Sequence, residues 1–364
     1  MYPNIAECYE GQSVFMTGGT GFLGKVLLEK LLYSCPGIKK VYLLVREKQN
    51  STVQQRIQKL IEEPLFARLK EERPEALEKI LPIAGDISEP KLAIKTEDEQ
   101  LLAEEVSIVF HVAATIKFNE PLDVAMNVNV AGTGRVLNLA QKMKNIKAFV
   151  YVSTTYSNTD RKIIEEVIYP PPASLNEVKK LLEIGITDEQ VKELIKGRPN
   201  TYTFTKALAE NLVADNHGNI PAIIIRPSIV SSSKVEPVVG WIDNWFGASA
   251  LLTTISKGLN RVMLSDSENA LDLIPVDYVS NLTIVAATRC EWYTKIQAKV
   301  SFIRDTLEFF TSNNWSIRAP QTIALANSLS SSDRILFPFN PTEINWNEYI
   351  PTYCQGIRQY LCKK

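Results

Sequence analysis

The sequence predicts an α/β fold: a doubly wound parallel sheet followed by a small, mainly helical C-terminal module. Three observations predict it. Short β-branched runs alternate with longer helical patterns through the first two-thirds of the chain. Several of these runs are apolar throughout, as strands covered on both faces must be. The first of them leads directly into a glycine-rich turn that opens a helix.

Ser13–Thr17, Lys40–Val45, Ile80–Ala84, Ser107–Val112, Ala148–Val152 and Ala222–Arg226 read as strands. Phe22–Tyr33, Thr52–Lys59, Glu97–Glu105, Pro121–Met143 and Tyr202–Asn216 read as the helices between them. Two stretches interrupt the rhythm. Residues 157–200 contain Pro170-Pro171-Pro172 and then two short charged helical patterns, an insertion of the length that forms lids and binding loops. From about Val300 the composition turns to Asn, Ser, Pro and aromatic residues. The expected division is a sheet domain over 1–290, carrying the insertion 157–200, and a C-terminal module over 300–364.

Composition narrows the function classes. A chain of 364 residues, 45% hydrophobic, can bury a sizeable core. Lys+Arg 40 against Asp+Glu 41 leaves a net charge of -1, which argues against a nucleic-acid surface. Five scattered cysteines form no C-x-x-C pair, and the two histidines, His111 and His217, lie far apart, so no metal site is expected. The N-terminus lacks a signal-peptide pattern, and no apolar stretch approaches the ~20 residues of a bilayer span. Even Val276–Thr288 is too short and carries Asp277. The expectation is an intracellular protein, soluble or bound only at a membrane surface.

Thr17-Gly18-Gly19-Thr20-Gly21-Phe22-Leu23-Gly24 follows a strand and starts a helix, the context that gives such a motif meaning. A tight turn, close approach of the backbone to a pyrophosphate and free N–H groups at a helix N-terminus all call for small residues there. The spacing T-G-x-x-G-x-x-G is that of a Rossmann dinucleotide turn. Residues 19–25 also fit the start of a P-loop, but Val26 has no hydroxyl for Mg²⁺, and that reading fails. Arg46, at the end of the second strand, suits the 2′-phosphate of NADPH, unless it is simply a solvated strand end. Asp86 could reach the adenine or could equally cap a turn. The expected cofactor contacts are Gly18, Thr20, Gly21, Phe22, Leu23, Gly24, Arg46, Asp86, Ile87, Ala113, Ala114, Asn129 and Lys206, with Asn129 in a supporting role.

Tyr202-Thr203-Phe204-Thr205-Lys206 places a phenol and an ammonium on one helical face. A neighbouring ammonium is expected to lower the phenol's pKa from ~10 and make it a proton donor. Val152-Ser153-Thr154-Thr155 ends a strand where a hydroxyl could polarise a carbonyl; Thr154 is the first candidate and Ser153 the second. His111 reads as a hydrogen-bonded strand residue and Cys290 as a buried hydrophobe.

With these motifs the chain resembles the animal fatty acyl-CoA reductases, extended members of the short-chain dehydrogenase/reductase superfamily. The resemblance is carried by residues 110–115 (FHVAAT), 151–158 (YVSTTYSN), 200–207 (NTYTFTKA), 226–230 (RPSIV), 240–244 (GWIDN) and 272–277 (DLIPVD). Residues 307–310 (LEFF) and 344–349 (INWNEY) resemble that family's C-terminal module. It implies reduction of long-chain acyl-CoA by NADPH to an aldehyde and then a primary alcohol, with Tyr202, Lys206 and Thr154 serving catalysis. It also implies a peroxisomal or endoplasmic-reticulum membrane surface. One departure stands out: Ala287-Thr288-Arg289-Cys290 passes almost directly into the terminal module near Val300–Phe310, where the family carries a longer stretch. A shortened relative that binds NADPH without catalysis, or an extended reductase or epimerase acting on another carbonyl such as a nucleotide sugar, are the alternatives.

Overall fold

The computed structural model describes residues 4–47, 51–245, 247–262, 271–291, 319–336, 338–356 and 359. The chain divides into two compact units, 1–299 and 300–364.

The first unit is built on a six-stranded sheet of order β3-β2-β1-β4-β5-β6. Its strands are β1 (Ser13–Thr17), β2 (Lys40–Val45), β3 (Ile80–Ala84), β4 (Val106–His111), β5 (Ala148–Val152) and β6 (Ala222–Ile225), and every pairing is parallel. After β3 the chain crosses back to the other side of β1, so the strand order reverses between β1 and β4. In open sheets of this kind the ligand crevice lies at that switch point, beyond the carboxyl ends of the strands.

The period-two alternation of a strand divides the core in two. Val14 and Met16 of β1 face Leu27, Leu28 and Leu31 of the helix Phe22–Ser34. Phe15, between them, faces the other layer with Val109 and Phe149, against Val136 and Leu137 of the helix Gly132–Ala140 and Phe204 and Leu208 of the helix Thr201–Asn216. Each such side chain, fully buried, contributes about 1.5–3 kcal/mol. The apolar runs of β1, β4 and β5 follow from this, because all of their residues are buried.

The first three strands and β5 fall on their predicted residues, and β4 starts and ends one residue earlier than expected. The segment predicted as one helix over Pro121–Met143 is instead Leu122–Ala125, a π-helical stretch Met126–Ala131 and Gly132–Ala140. Wider turns of this kind often occur at functional sites, and here the stretch carries the buried Asn129. A second, two-stranded parallel sheet, β7 (Ile229–Ser231) with β8 (Leu273–Pro275), escapes sequence reading because three residues are too few to show a period. Helix 276–291 follows β8, and its Asp277 carboxylate accepts the N–H groups of Lys234, Val235 and Glu236 at 3.0, 2.9 and 3.4 Å. That ties the loop after β7 back to the sheet domain.

The insertion folds as two helices, Leu175–Ile184 and Asp188–Leu194, the second capped by Thr187 with Gln190 closing a capping box. Val178 is buried, and Leu182, Val191 and Ile195 lean on the core that includes Phe204. The insertion therefore packs over the start of the helix that carries Tyr202.

In the second unit, the described residues form the helices Pro320–Ser328, Ser331–Leu336 and Trp346–Gly356. Residues 307–310 lie outside the described residues. Among those described, no helix is long and apolar enough to cross a membrane.

Candidate active site

The glycine turn joins β1 to the helix Phe22–Ser34 beside the end of β4. Gly18 has φ +75°, and a β-carbon there would lie 2.6 Å from the backbone nitrogen of Ala113. A β-carbon on Gly24 would meet the Gly18 carbonyl oxygen at 2.1 Å, so the helix can seat against the turn only through glycine. Gly21 caps the helix without any side-chain hydrogen bond, leaving the first-turn N–H groups uncovered by a capping side chain. Such an N-terminus is a ready anion site, and the cradle fits a pyrophosphate. Lys25, the residue that mimicked a P-loop lysine, is committed elsewhere: it donates to Glu63 at 2.7 Å and Asp243 at 2.9 Å.

Arg46 is exposed and pairs loosely with Asp86 at 3.6 Å. A second guanidinium, missed in the sequence, joins it. Arg56 donates to the carbonyl of Arg46 and, at 3.4 Å, to the hydroxyl of Thr20. It comes from a separate helix, Val53–Glu62, and only its place ten residues beyond a strand-end arginine could have suggested it. Burial, and then the charge of Arg46, lower its pKa, as expected for two cations converging on one spot. Asp86 holds Ser88 through its N–H at 2.9 Å and its hydroxyl at 2.7 Å, so its turn-capping role is filled. Ile87 follows it, and its carbonyl accepts a hydrogen bond from Arg135 at 2.8 Å.

A buried chain of hydrogen bonds runs behind the turn. Thr133 donates to the Asn129 carbonyl at 2.6 Å, so it must accept the proton of His111 Nε2, 2.9 Å away. His111 Nδ1 is then the acceptor of the Thr17 hydroxyl at 2.7 Å, and Thr17 in turn accepts the Ala113 N–H at 3.3 Å. Asn129 accepts the Thr115 N–H at 2.9 Å and donates to Thr205 at 3.0 Å, linking the loop of Ala113 and Ala114 to the helix of Tyr202. Burial, and then the charge of Lys206, push His111 down to about 3, so it is neutral and is a strand residue rather than a base.

Tyr202 and Lys206 lie on one face of the helix Thr201–Asn216, whose N-terminus is capped by Asn200. The expectation of a lowered phenol pKa is not met. Burial raises Tyr202 to about 12, with Thr154 beside it pulling the other way. Lys206 does not act on the phenol as the spacing suggested. Its ammonium donates to the Val152 carbonyl at 2.6 Å, lies 4.3 Å from the ring centroid of Tyr151, and is lowered by burial to about 7. Spacing fixes the shared face but says nothing of the low dielectric around it.

Thr154 caps the turn Thr155–Asn158 by accepting the Tyr156 N–H. Ser153 is turned elsewhere, its hydroxyl donating to Glu210 at 2.5 Å. The two candidates thus separate: Thr154 stands by Tyr202, whereas Ser153 belongs to a buried cluster with Ser157, Glu210 and Arg226. On the open side, Phe118 is 60% exposed and lies 6.0 Å from the Tyr202 ring, at the edge of a groove of about 570 Å³ walled by Leu122, Leu182, Val191 and Ile195.

A parallel sheet of this order, with a glycine turn at its switch point, is the architecture of nicotinamide-dependent reductases of the short-chain dehydrogenase/reductase class. The terminal R domain from the myxalamid PKS-NRPS biosynthetic pathway shares it, with a TM-score of 0.57 and 28% identity over 76% of this chain and 63% of that one. Two family models described as male sterility protein match residues 16–283, an NAD-binding model, and 273–364. Fatty acyl-CoA reductase 1 of Mus musculus is 34% identical over 447 residues, covering 98% of this chain and 86% of that protein. Its Xenopus laevis counterpart is 35% identical over 450 residues with the same coverage. The chain belongs to the fatty acyl-CoA reductase family, and its fold binds a nicotinamide cofactor. The aligned spans exceed the chain's own 364 residues, so these relatives contain residues with no counterpart here.

Proposed function

We propose that this chain reduces long-chain fatty acyl-CoA to the primary alcohol, by way of the aldehyde, with NADPH as the reductant. The observation that carries the reading is Tyr202 and Lys206 on one buried helical face beside Thr154, at the carboxyl edge of the sheet. The glycine cradle would hold the pyrophosphate of the reduced dinucleotide, whose nicotinamide would supply hydride; overall the thioester takes up two hydrides and two protons to yield alcohol and free CoA thiol.

Tyr202, held protonated by its raised pKa, donates a proton to the substrate oxygen as negative charge grows on it. The alkoxide is far more basic than any phenolate, so a high pKa in the donor is no obstacle. Thr154 hydrogen-bonds the same oxygen, and Lys206 orients the nicotinamide ribose. Arg46 and Arg56 together favour the 2′-phosphate of NADPH over NADH. Phe118 and the exposed Ile116 offer apolar surface to the acyl chain next to Tyr202. Exposed Val239, Trp245, Leu252, Leu259 and Val262 offer apolar surface suited to peripheral contact with a peroxisomal or endoplasmic-reticulum membrane.

The test is incubation of purified protein with NADPH and palmitoyl- or stearoyl-CoA, with alcohol as the readout. Alcohol formation slowed about 10²–10⁴-fold by Tyr202→Phe is the expected result. Cofactor binding without turnover would point instead to a shortened, non-catalytic relative, a reading favoured by the residues it lacks against its family. Turnover of a nucleotide sugar would sink the acyl-CoA assignment.

A further inference from the structure

The helix bearing Tyr202 and Lys206 presents a third polar residue on the same face one turn further on. This is Glu210, 2% exposed, which has no part in the chemistry above. Its carboxylate accepts Nε and Nη2 of Arg226 at 3.0 and 2.8 Å, the hydroxyl of Ser153 at 2.5 Å, and lies 2.9 Å from the hydroxyl of Ser157. Ser157 also reaches the Thr154 carbonyl at 2.8 Å and accepts from Asn158 at 3.0 Å. These contacts come from the end of β5, the turn Thr155–Asn158 and the residue after β6. Arg226 supplies the countercharge of the buried carboxylate and the serine hydroxyls its remaining hydrogen-bond donors, and the two serines stand on either side of Thr154.

We propose that Glu210 is a positioning residue of the active site: braced by Arg226, it clamps Ser153 and Ser157 and so holds Thr154 against Tyr202. Its charge also acts on Lys206, one turn away. Burial lowers the Lys206 ammonium, and Glu210 is the group that opposes the fall. The other groups facing Lys206 are the Tyr151 ring and neutral His111, and neither is anionic at neutral pH. The inference rests on the reading of Thr154, Tyr202 and Lys206 as the catalytic set.

Glu210→Gln keeps the volume and removes the charge. Lys206 can be followed without turnover by NMR of protein labelled with ¹³Cε-lysine, its signal assigned through Lys206→Arg. In Glu210→Gln the Lys206 midpoint should fall by about one pH unit or more. Turnover number should fall at least ~10-fold with the KM for NADPH little changed, and Glu210→Asp should restore part of both. Ser157→Ala leaves the Glu210–Arg226 pair intact and covers the case in which Glu210→Gln does not fold; it should lower turnover without moving the Lys206 midpoint. An unmoved midpoint in folded Glu210→Gln, or wild-type turnover in Ser157→Ala, overturns the proposal. A parent chain inactive on acyl-CoA would overturn the catalytic reading instead, and the Lys206 midpoint would still decide this one.

Discussion

Gly24 sits so close beneath Gly18 that a β-carbon on it would come to 2.1 Å from the Gly18 carbonyl oxygen, whereas one on Gly21 would stay 3.3 Å from the same atom. The two positions therefore differ in what they tolerate. Gly24→Ala must push the helix Phe22–Ser34 away from the turn, against backbone that cannot yield, at a cost of about 1–3 kcal/mol. Gly21→Ala requires only a shift of a few tenths of an ångström. Titration of NADPH fluorescence should show cofactor affinity falling much further in Gly24→Ala than in Gly21→Ala. Equal losses would mean that the turn is not seated as the geometry implies.

The pair Arg46 and Arg56 makes a prediction about cofactor choice. Each guanidinium would give a charge-assisted contact to the 2′-phosphate, worth about 1.5–3 kcal/mol, and neither would find that group in NADH. Arg46→Ala and Arg56→Ala should each weaken NADPH binding by roughly 10–100-fold and leave NADH binding nearly unchanged. A parallel loss for both cofactors would place the arginines on the shared pyrophosphate instead.

Tyr202 and Lys206 predict the pH profile. With its pKa raised to about 12 the phenol stays protonated across the working range. Lys206, lowered to about 7, loses its proton within that range. The basic limb of kcat/KM should therefore begin near neutrality and report Lys206, not the tyrosine. Tyr202→Phe should cost about 10²–10⁴-fold in kcat, the usual worth of a general acid, with NADPH affinity retained. A basic limb that disappears in Tyr202→Phe variants with residual activity would assign it to the phenol.

What the sequence reveals of this site depends on how local each signal is. The turn at Gly18–Gly24 and the pair Tyr202–Lys206 are written within seven and five consecutive residues, because one turn and one helical face enforce them. Glu210 shares the face with Lys206 and could have been found by extending the same period. Its meaning comes from Ser153 and Arg226, brought in by β5 and β6 only when the sheet assembles. Ser153 and Thr154 are indistinguishable as adjacent hydroxyls, and they separate because the backbone leaving β5 sends one toward Glu210 and the other toward Tyr202. The phenol's pKa rises where spacing alone predicts a fall, for a related reason: residue spacing carries no record of burial. The six strands of the sheet are legible because each is long and apolar enough to announce itself, while β7 and β8, of three residues each, are too short.

His111 offers a test that is independent of catalysis. Its tautomer is set by Thr133, which donates to Asn129 and so takes the Nε2 proton, leaving Nδ1 to accept from Thr17. A second ring proton would break the contact with Thr17 and place a charge in the core, which is why burial lowers the folded pKa from 6.5 to about 3. In the unfolded chain the ring takes its proton near 6.5. Between these values the unfolded state holds more protons than the folded one, so stability rises with pH. His111 thus costs nothing above about pH 6.5, destabilises the fold increasingly as pH falls, and levels off near pH 3, with a full effect on the order of several kcal/mol. Carboxylates titrate in the same window, so the comparison must be with a variant. In His111→Gln the overall Tm will be lower at neutral pH, because the two threonine contacts are altered, but its decline between pH 6.5 and 4 should be shallower than in the parent. Parallel Tm curves for the two proteins across that range would show that His111 does not titrate as its buried setting requires.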